Sequence, residues 1–214
     1  MLILGINTAT NQNAVTLFTE KKVLAEKVWP AHQNEAETLL PNIKDLLRSH
    51  KQLNFRDLTA LLIVAGPGAF TSLRIGVITA NALAYALNIP QYAISTFEYY
   101  KKRLPANLQN ENTKLFVSAG KHIAYFKDEK TPQTLEAIEA ETATNQNPEK
   151  LKLYGNFLPQ QIEELSAEII PEEQLLSFAV AFLHTDFSTL KAQTQIEPLY
   201  IRPAHITMSK KISY

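Results

Sequence analysis

The sequence contains no cysteine. That excludes disulfides, thiolate-bound zinc and a cysteine nucleophile, and it fits a reducing compartment. Neither sign of charge is in excess, since 21 basic residues balance 21 acidic ones. A chain-wide basic surface for nucleic acid is therefore excluded, and any RNA contact must be local or made through a partner. Long apolar runs are missing too. The most apolar stretch, 75–89, includes Thr79, Asn81 and Asn88 and falls short of the roughly 20 apolar residues a bilayer needs. The opening MLILGINTAT lacks a basic n-region and is not expected to be a signal peptide. A cytoplasmic protein with no membrane partner is the expectation. Glycine is scarce, with six in 214 residues, and three of them (Gly66, Gly68 and Gly76) fall in one short stretch, AGPGAFTSLRIG.

What is present is ordinary for a globular α/β protein: 45% hydrophobic and 20% charged residues, in a length that suits one large domain or two small ones. Residues 2–8, 14–18 and 23–29 read as an antiparallel meander. Ala36, Leu39, Leu40, Ile43, Leu46 and Leu47 recur at helical spacing. Pro41 interrupts them and predicts a kink or a restart. The continuous apolar run at 60–64 reads as a central strand covered on both faces. The glycine loop follows, then a helix from about Thr71 to Leu87, a strand at 89–95 and a helix from Phe97 to Arg103. The polar stretch 104–114 is the candidate boundary, dividing the chain into 1–103 and 104–214. Beyond it, 115–120 and 122–127 read as a strand pair, 136–141 as a solvated face and 141–150 as a loop. LKLYGN at 151–156 reads as strand and turn, 157–165 and 172–184 as helices, and PLYIRPAHITMSKK as an extended tail that packs back on the first half. The second half thus restarts with strands and ends in helices, as a fold repeat without sequence repeat.

The glycine loop admits two readings. Strand, glycine turn and helix can build an anion pocket, with Gly66 and Gly68 allowing close approach, Thr71 capping the next helix and Arg74 clamping the ligand. The loop equally serves as a tight strand-to-helix turn, and it has neither the lysine of a Walker A motif nor the spacing of GxGxxG. In the following helix Gly76, Ala80 and Ala84 form a smooth stripe, flanked by Leu73 and Val77. Such a stripe suits close approach of another helix, either within the domain or from a partner chain. Asn7 stands at the end of the first strand, where an aspartate would hold a metal-bound phosphate. An asparagine brings no charge and cannot act as a general base. Thr8 and Thr10 are nearby donors that more often bond local backbone. His32, His50, His122, His184 and His205 show no helical metal spacing. His32 and Glu35 read as cap and solvated face, no acid pair stands out, and no serine sits in a nucleophile elbow.

The blocks ILGINTAT, HQNEAETLLPNIKDLL, AGPGAFTSLRIGVITANALA and PLYIRP occur in the order seen in the TsaB family, which the chain resembles over residues 1–100 and again in its tail. The resemblance implies an actin-like, sugar-kinase and Hsp70-type (ASKHA) fold of two related ribonuclease-H-like α/β subdomains. It implies a non-catalytic scaffold that pairs with a TsaD-like catalytic subunit for threonylcarbamoyl transfer to a tRNA adenosine beside the anticodon. A TsaE-like ATPase would join, a homodimer would be the alternative pairing, and tRNA would be met only through the complex. The pairing surface is expected on Leu40, Ile43, Leu47, Leu73, Gly76, Val77, Ala80 and Ala84. No catalytic residue, metal or resident cofactor is expected, and nucleotide would bind weakly at most, through Asn7, Thr8, Gly66, Gly68, Thr71 and Arg74. Three departures from the family reinforce the non-catalytic reading. Asn7 replaces an aspartate, SAG at Ser118 to Gly120 replaces DAR, and His32 is the one histidine in the segment where TsaD carries its metal histidines. The competing reading is an ATP-binding enzyme of the same superfamily, a kinase or ATPase using INTAT and GPG as phosphate loops.

Overall fold

The computed structural model describes residues 1–32, 34–50, 53–119, 123–126, 132–143, 151–165 and 167–200. His122, His205, Gly120 and the tail beyond residue 200 lie outside the described residues. Among the described residues, ten strands form two five-stranded sheets. In the first, β1 (Leu2–Asn7), β2 (Gln12–Thr19) and β3 (Val23–Pro30) make the expected antiparallel meander. Helix α1 (Glu35–Ser49) then leads to β4 (Ala60–Val64), parallel to β1, and α2 (Phe70–Leu87) leads to β5 (Gln91–Ile94), parallel to β4. The strand order is β3-β2-β1-β4-β5. All five residues of β4 are buried, because α1 and α2 cover one face of this sheet while the other meets aromatic side chains from later in the chain.

The second sheet repeats the same path. After α3 (Thr96–Arg103), strands β6 (Thr113–Ser118), β7 (Ile123–Phe126) and β8 (Pro132–Thr134) form a second antiparallel meander. Helix α4 (Leu135–Ala143) precedes β9 (Lys152–Asn156), parallel to β6, and α5 (Pro159–Glu164) precedes β10 (Glu168–Ile169), parallel to β9. The order β10-β9-β6-β7-β8 is the first sheet's topology again. Alternate residues of β6 serve two cores. Phe116 packs with Phe126, Ile138 and Phe157, while Leu115 and Val117 join the core of the first half.

Several expected elements change on folding. Helix α1 runs unbroken through Pro41. The proline sits on the exposed side, where water can serve the carbonyl its ring leaves unbonded. The segment 172–184 is not one helix. A single 3-10 turn at Glu172–Gln174 is followed by α6 (Phe178–Phe182), which restarts at Ser177 because its hydroxyl accepts the Val180 N–H. Residues 136–141 are not all solvated, since Ile138 is fully buried. Strands β8 and β10 are too short to leave a periodic signal.

Helix α6 returns to the first sheet, where Phe178 and Phe182 are buried. Glu26 of β3 caps it from a distance: its two carboxylate oxygens accept the Phe178 N–H at 3.2 Å and the Ala179 N–H at 2.8 Å. Such charge-assisted bonds also suit the helix N-terminal dipole. Glu26→Ala is therefore expected to cost about 1–2 kcal/mol, read as a lower midpoint in denaturant with an unchanged slope.

Candidate functional site

The end of β1 and the glycine loop after β4 hold the residues expected for a phosphate, and in the fold their polar groups bond to the chain itself. Asn7 is fully buried. Its Oδ1 accepts the Ala9 N–H at 3.0 Å, and its Nδ2 donates to Thr10 Oγ1 at 2.8 Å and to the Gln12 carbonyl at 3.3 Å. Thr10 Oγ1 donates in turn to the Gln12 carbonyl at 2.8 Å. Thr8 is buried and gives its hydroxyl proton to the Ser72 carbonyl at 2.8 Å. The hydroxyls thus bond local or packed backbone.

The glycine loop is spent in the same way. Thr96 donates its N–H to the Gly66 carbonyl at 2.7 Å and its hydroxyl to the Pro67 carbonyl at 2.6 Å. Gly66 has φ 110°, a conformation that side chains disfavour. Gly68 lies against the Ala9 carbonyl, 2.1 Å from where a Cβ would sit. The loop is a tight turn locked to its neighbours. Two expectations are corrected here. Thr71 does not cap α2; the cap position is Ala69, without a side-chain bond, and Thr71 lies exposed in the first turn. Arg74 is held on the outward surface of α2 rather than in the glycine loop: its guanidinium stacks on the Phe70 ring at 3.7 Å, and its Nε donates to the Tyr200 hydroxyl at 2.6 Å.

Between the two halves, aromatic side chains fill the space. Tyr99 lies within hydrogen-bonding reach of Asn7, and Tyr100 within reach of Thr10. Burial pushes both phenols above their ordinary pKa, so they remain neutral donors. Tyr99 packs edge-on against Phe178 at 5.1 Å. Arg103 lies over the Tyr99 ring at 4.8 Å, donates Nε to the Leu176 carbonyl at 2.6 Å and pairs with the Glu172 carboxylate. Burial works against its charge, and the paired, hydrogen-bonded Glu172 carboxylate helps to hold the guanidinium above its ordinary value. The turn after β1 is fastened to the second half as well. The Asn11 N–H donates to Asn156 Oδ1 at 2.9 Å, and its side chain donates to the Phe157 carbonyl. This aromatic plug was not legible beforehand; its one sequence trace is the adjacent pair Tyr99 and Tyr100 on a short helix.

The expected pairing residues divide sharply by exposure. Leu73, Val77 and Ala80 are at most 1% exposed, Gly76 and Ala84 are buried, and so are Ile43 and Leu47. The small stripe exists to bring α2 onto β1: a Cβ on Gly76 would stand 2.1 Å from Thr8 Oγ1. These seven residues therefore belong to the chain's own core and cannot meet a partner. Leu40 alone of the eight is exposed, at 48%. The outward side of α2 is instead Phe70, Arg74, Ile78, Ala82 and Tyr85, at helical spacing, with Ile78 65% and Tyr85 91% exposed. Helix α2 meets the length and hydropathy of a membrane span. Its inward side is packed against the sheet, so its apolar character divides between core and outward face.

Glu35 also differs from expectation. It is fully buried rather than solvated and accepts a bond from Asn13 Nδ2 at 3.1 Å, while His32 is exposed. Among the described residues no group of three or more His, Asp or Glu side chains is placed to hold a metal.

The family model described as "TsaD: tRNA N6-adenosine threonylcarbamoyltransferase" matches residues 23–210. A tRNA threonylcarbamoyladenosine biosynthesis protein TsaB of Bacillus subtilis is 34% identical over 98 residues, covering 46% of this chain and 42% of that protein. The TsaB of Escherichia coli is 34% identical over 97 residues, covering 45% and 41%. These matches thus span less than half the length of those curated relatives. The solved structure of YeaZ from Pseudomonas aeruginosa superposes with a TM-score of 0.66 at 18% identity, covering 94% of this chain and 99% of its own. At that identity the likeness speaks for the fold, and it agrees with the doubled sheet topology.

Proposed function

Because the chain belongs to the TsaD family, on its TsaB side and with the actin-like (ASKHA) fold, we propose that it is a non-catalytic subunit that pairs with a TsaD-type enzyme for threonylcarbamoyl transfer to tRNA. The observation that carries the reading is the end of β1, whose polar groups are bonded to the chain itself. Asn7 brings no charge to anchor a magnesium-bound phosphate, and its amide is bonded to Thr10, Gln12 and Ala9. Beside it, the Tyr99 and Tyr100 phenols are buried and neutral and bring no charge either. The asset left to the chain is its surface. A contiguous apolar face on a helix marks an interaction site, and the outward side of α2 supplies one. The TsaE-like ATPase would join the pair, tRNA would be met through the complex, and the complex would work in the cytoplasm.

A reconstituted tRNA-modification assay tests this. With TsaD-type and TsaE-type subunits, threonylcarbamoyl-AMP and tRNA, product is expected to form only when this chain is added. The chain alone with ATP and magnesium is expected to release no phosphate above background. Turnover by the isolated chain would favour the kinase or ATPase reading and overturn this one.

A further inference from the structure

Residues 193–200 run beside the first half without a helix or strand of their own, and we infer that this C-terminal strap is a working part of the pairing surface, anchored by Asn81. The inference rests on the pairing role proposed above. The strap is fastened along its length. At its start the Gln193 N–H donates to the Gln91 carbonyl at 2.9 Å. The buried Gln91 amide donates to Asn81 Oδ1 at 2.9 Å and to the Thr194 carbonyl at 3.1 Å. In the middle Asn81 acts as a substitute for a neighbouring strand. Its Nδ2 donates to the Ile196 carbonyl and its Oδ1 accepts the Ile196 N–H, both at 2.9 Å. Ile196 itself is buried in the core. At the end the Leu199 N–H donates to the Ala65 carbonyl at 2.7 Å. The Leu199 carbonyl sits so close over Gly66 that a Cβ there would lie 2.6 Å away.

An asparagine in a helix this apolar carries a helix-propensity cost, and its amide serves only the strap and the Gln91 that holds the strap. The consequence lies one step further along. Tyr200 is delivered onto α2, where its ring stands 5.1 Å from Phe70 and its hydroxyl accepts the Arg74 Nε–H. Leu199 and Tyr200 remain 47% and 39% exposed. They extend the face of Phe70 and Ile78, with Arg74 over the Phe70 ring at 3.7 Å and 5.6 Å from the centre of the Tyr200 ring. Arg74 is the single formal charge in α2. The complementary surface is apolar with one carboxylate or carbonyl opposite the guanidinium, and the occupant is the TsaD-type subunit. Tyrosine and arginine at the centre of an apolar patch are the residue types that dominate interface energies.

The test is the affinity of the full chain for the TsaD-type subunit of the same genome, titrated for wild type, Tyr200→Ala, Asn81→Leu and Ile78→Glu. Tyr200→Ala is expected to bind about tenfold more weakly with an unchanged melting curve. Asn81→Leu is expected to show faster deuterium uptake over 193–200 and a similar loss of affinity. If Asn81→Leu does not fold, Tyr200→Ala decides alone. Wild-type affinity in both strap variants, with binding lost in Ile78→Glu, overturns the role of the strap and leaves the pairing role standing. Wild-type affinity in Ile78→Glu as well overturns the pairing face itself. A loss confined to self-association would make a second copy of the chain the occupant, and would overturn the inference as stated.

Discussion

Ile78→Glu is expected to leave the chain folded and to abolish pairing with a TsaD-type subunit, whereas Ala80→Glu, two residues away, is expected to unfold it. Ile78 is 65% exposed and Ala80 fully buried. Glutamate is a good helix former, and an exposed helix position accepts it within about 0.5 kcal/mol. At the centre of an apolar interface the same carboxylate must be desolvated without a partner. A loss of at least about 3 kcal/mol, or more than a hundredfold in affinity, follows. At position 80 the carboxylate would enter the contact between α2 and the sheet, where no partner or space awaits it. Overpacking and an unpaired charge together cost several kcal/mol, against a total stability on the order of 5–15 kcal/mol. Circular dichroism and a pull-down on both variants separate the two outcomes. A folded Ala80→Glu protein that fails to pair would mean that the small stripe, not the outward side, faces the partner.

Asn7→Asp is expected to destabilise the chain strongly and to confer no nucleotide binding, although it restores the acid that the family resemblance implies at this position. The amide nitrogen of Asn7 donates to Thr10 Oγ1 and to the Gln12 carbonyl. The Thr10 proton is already committed to Gln12, and a carboxylate oxygen at that position would face the Gln12 carbonyl, an acceptor, where the amide now donates. Removing a buried donor and adding a buried charge costs about 3 kcal/mol or more. Tyr99 and Tyr100 would still be packed beside it. A thermal melt reads the first effect, and calorimetric titration with ATP and magnesium reads the second. Micromolar binding by Asn7→Asp would show that the acid alone was missing and that the plug is no barrier.

The strands of the first sheet were legible because burial on both faces writes itself as a continuous apolar run, as in Ala60–Val64. The duplication was legible from the order of elements, not from any residue match. The direction in which α2 faces was not. A helix apolar on nearly every side gives no moment to point with, so Gly76, Ala80 and Ala84 suited a partner as well as a neighbour. The deciding contact, Gly76 against Thr8 Oγ1, joins residues far apart in sequence. The break at Ser177 was hidden because a cap residue inside an apolar pattern looks like a tolerated serine. The strap was hidden because Gln193 to Glu197 has no period of its own; side chains on α2 and β5 hold it. Asn7 was readable as a missing charge, but the tyrosines that fill the space beside it depend on tertiary packing.

The most direct measurement uses the absence of cysteine. Tyr85→Cys places a unique thiol on the outward side of α2, at a position 91% exposed, and Glu163→Cys places one on the exposed side of α5. Each variant, carrying a short photo-crosslinker on its thiol, is mixed with the TsaD-type subunit and irradiated. Capture from position 85 and none from position 163 is the expected result. Capture from position 163 with none from position 85 would contradict pairing through the outward face of α2.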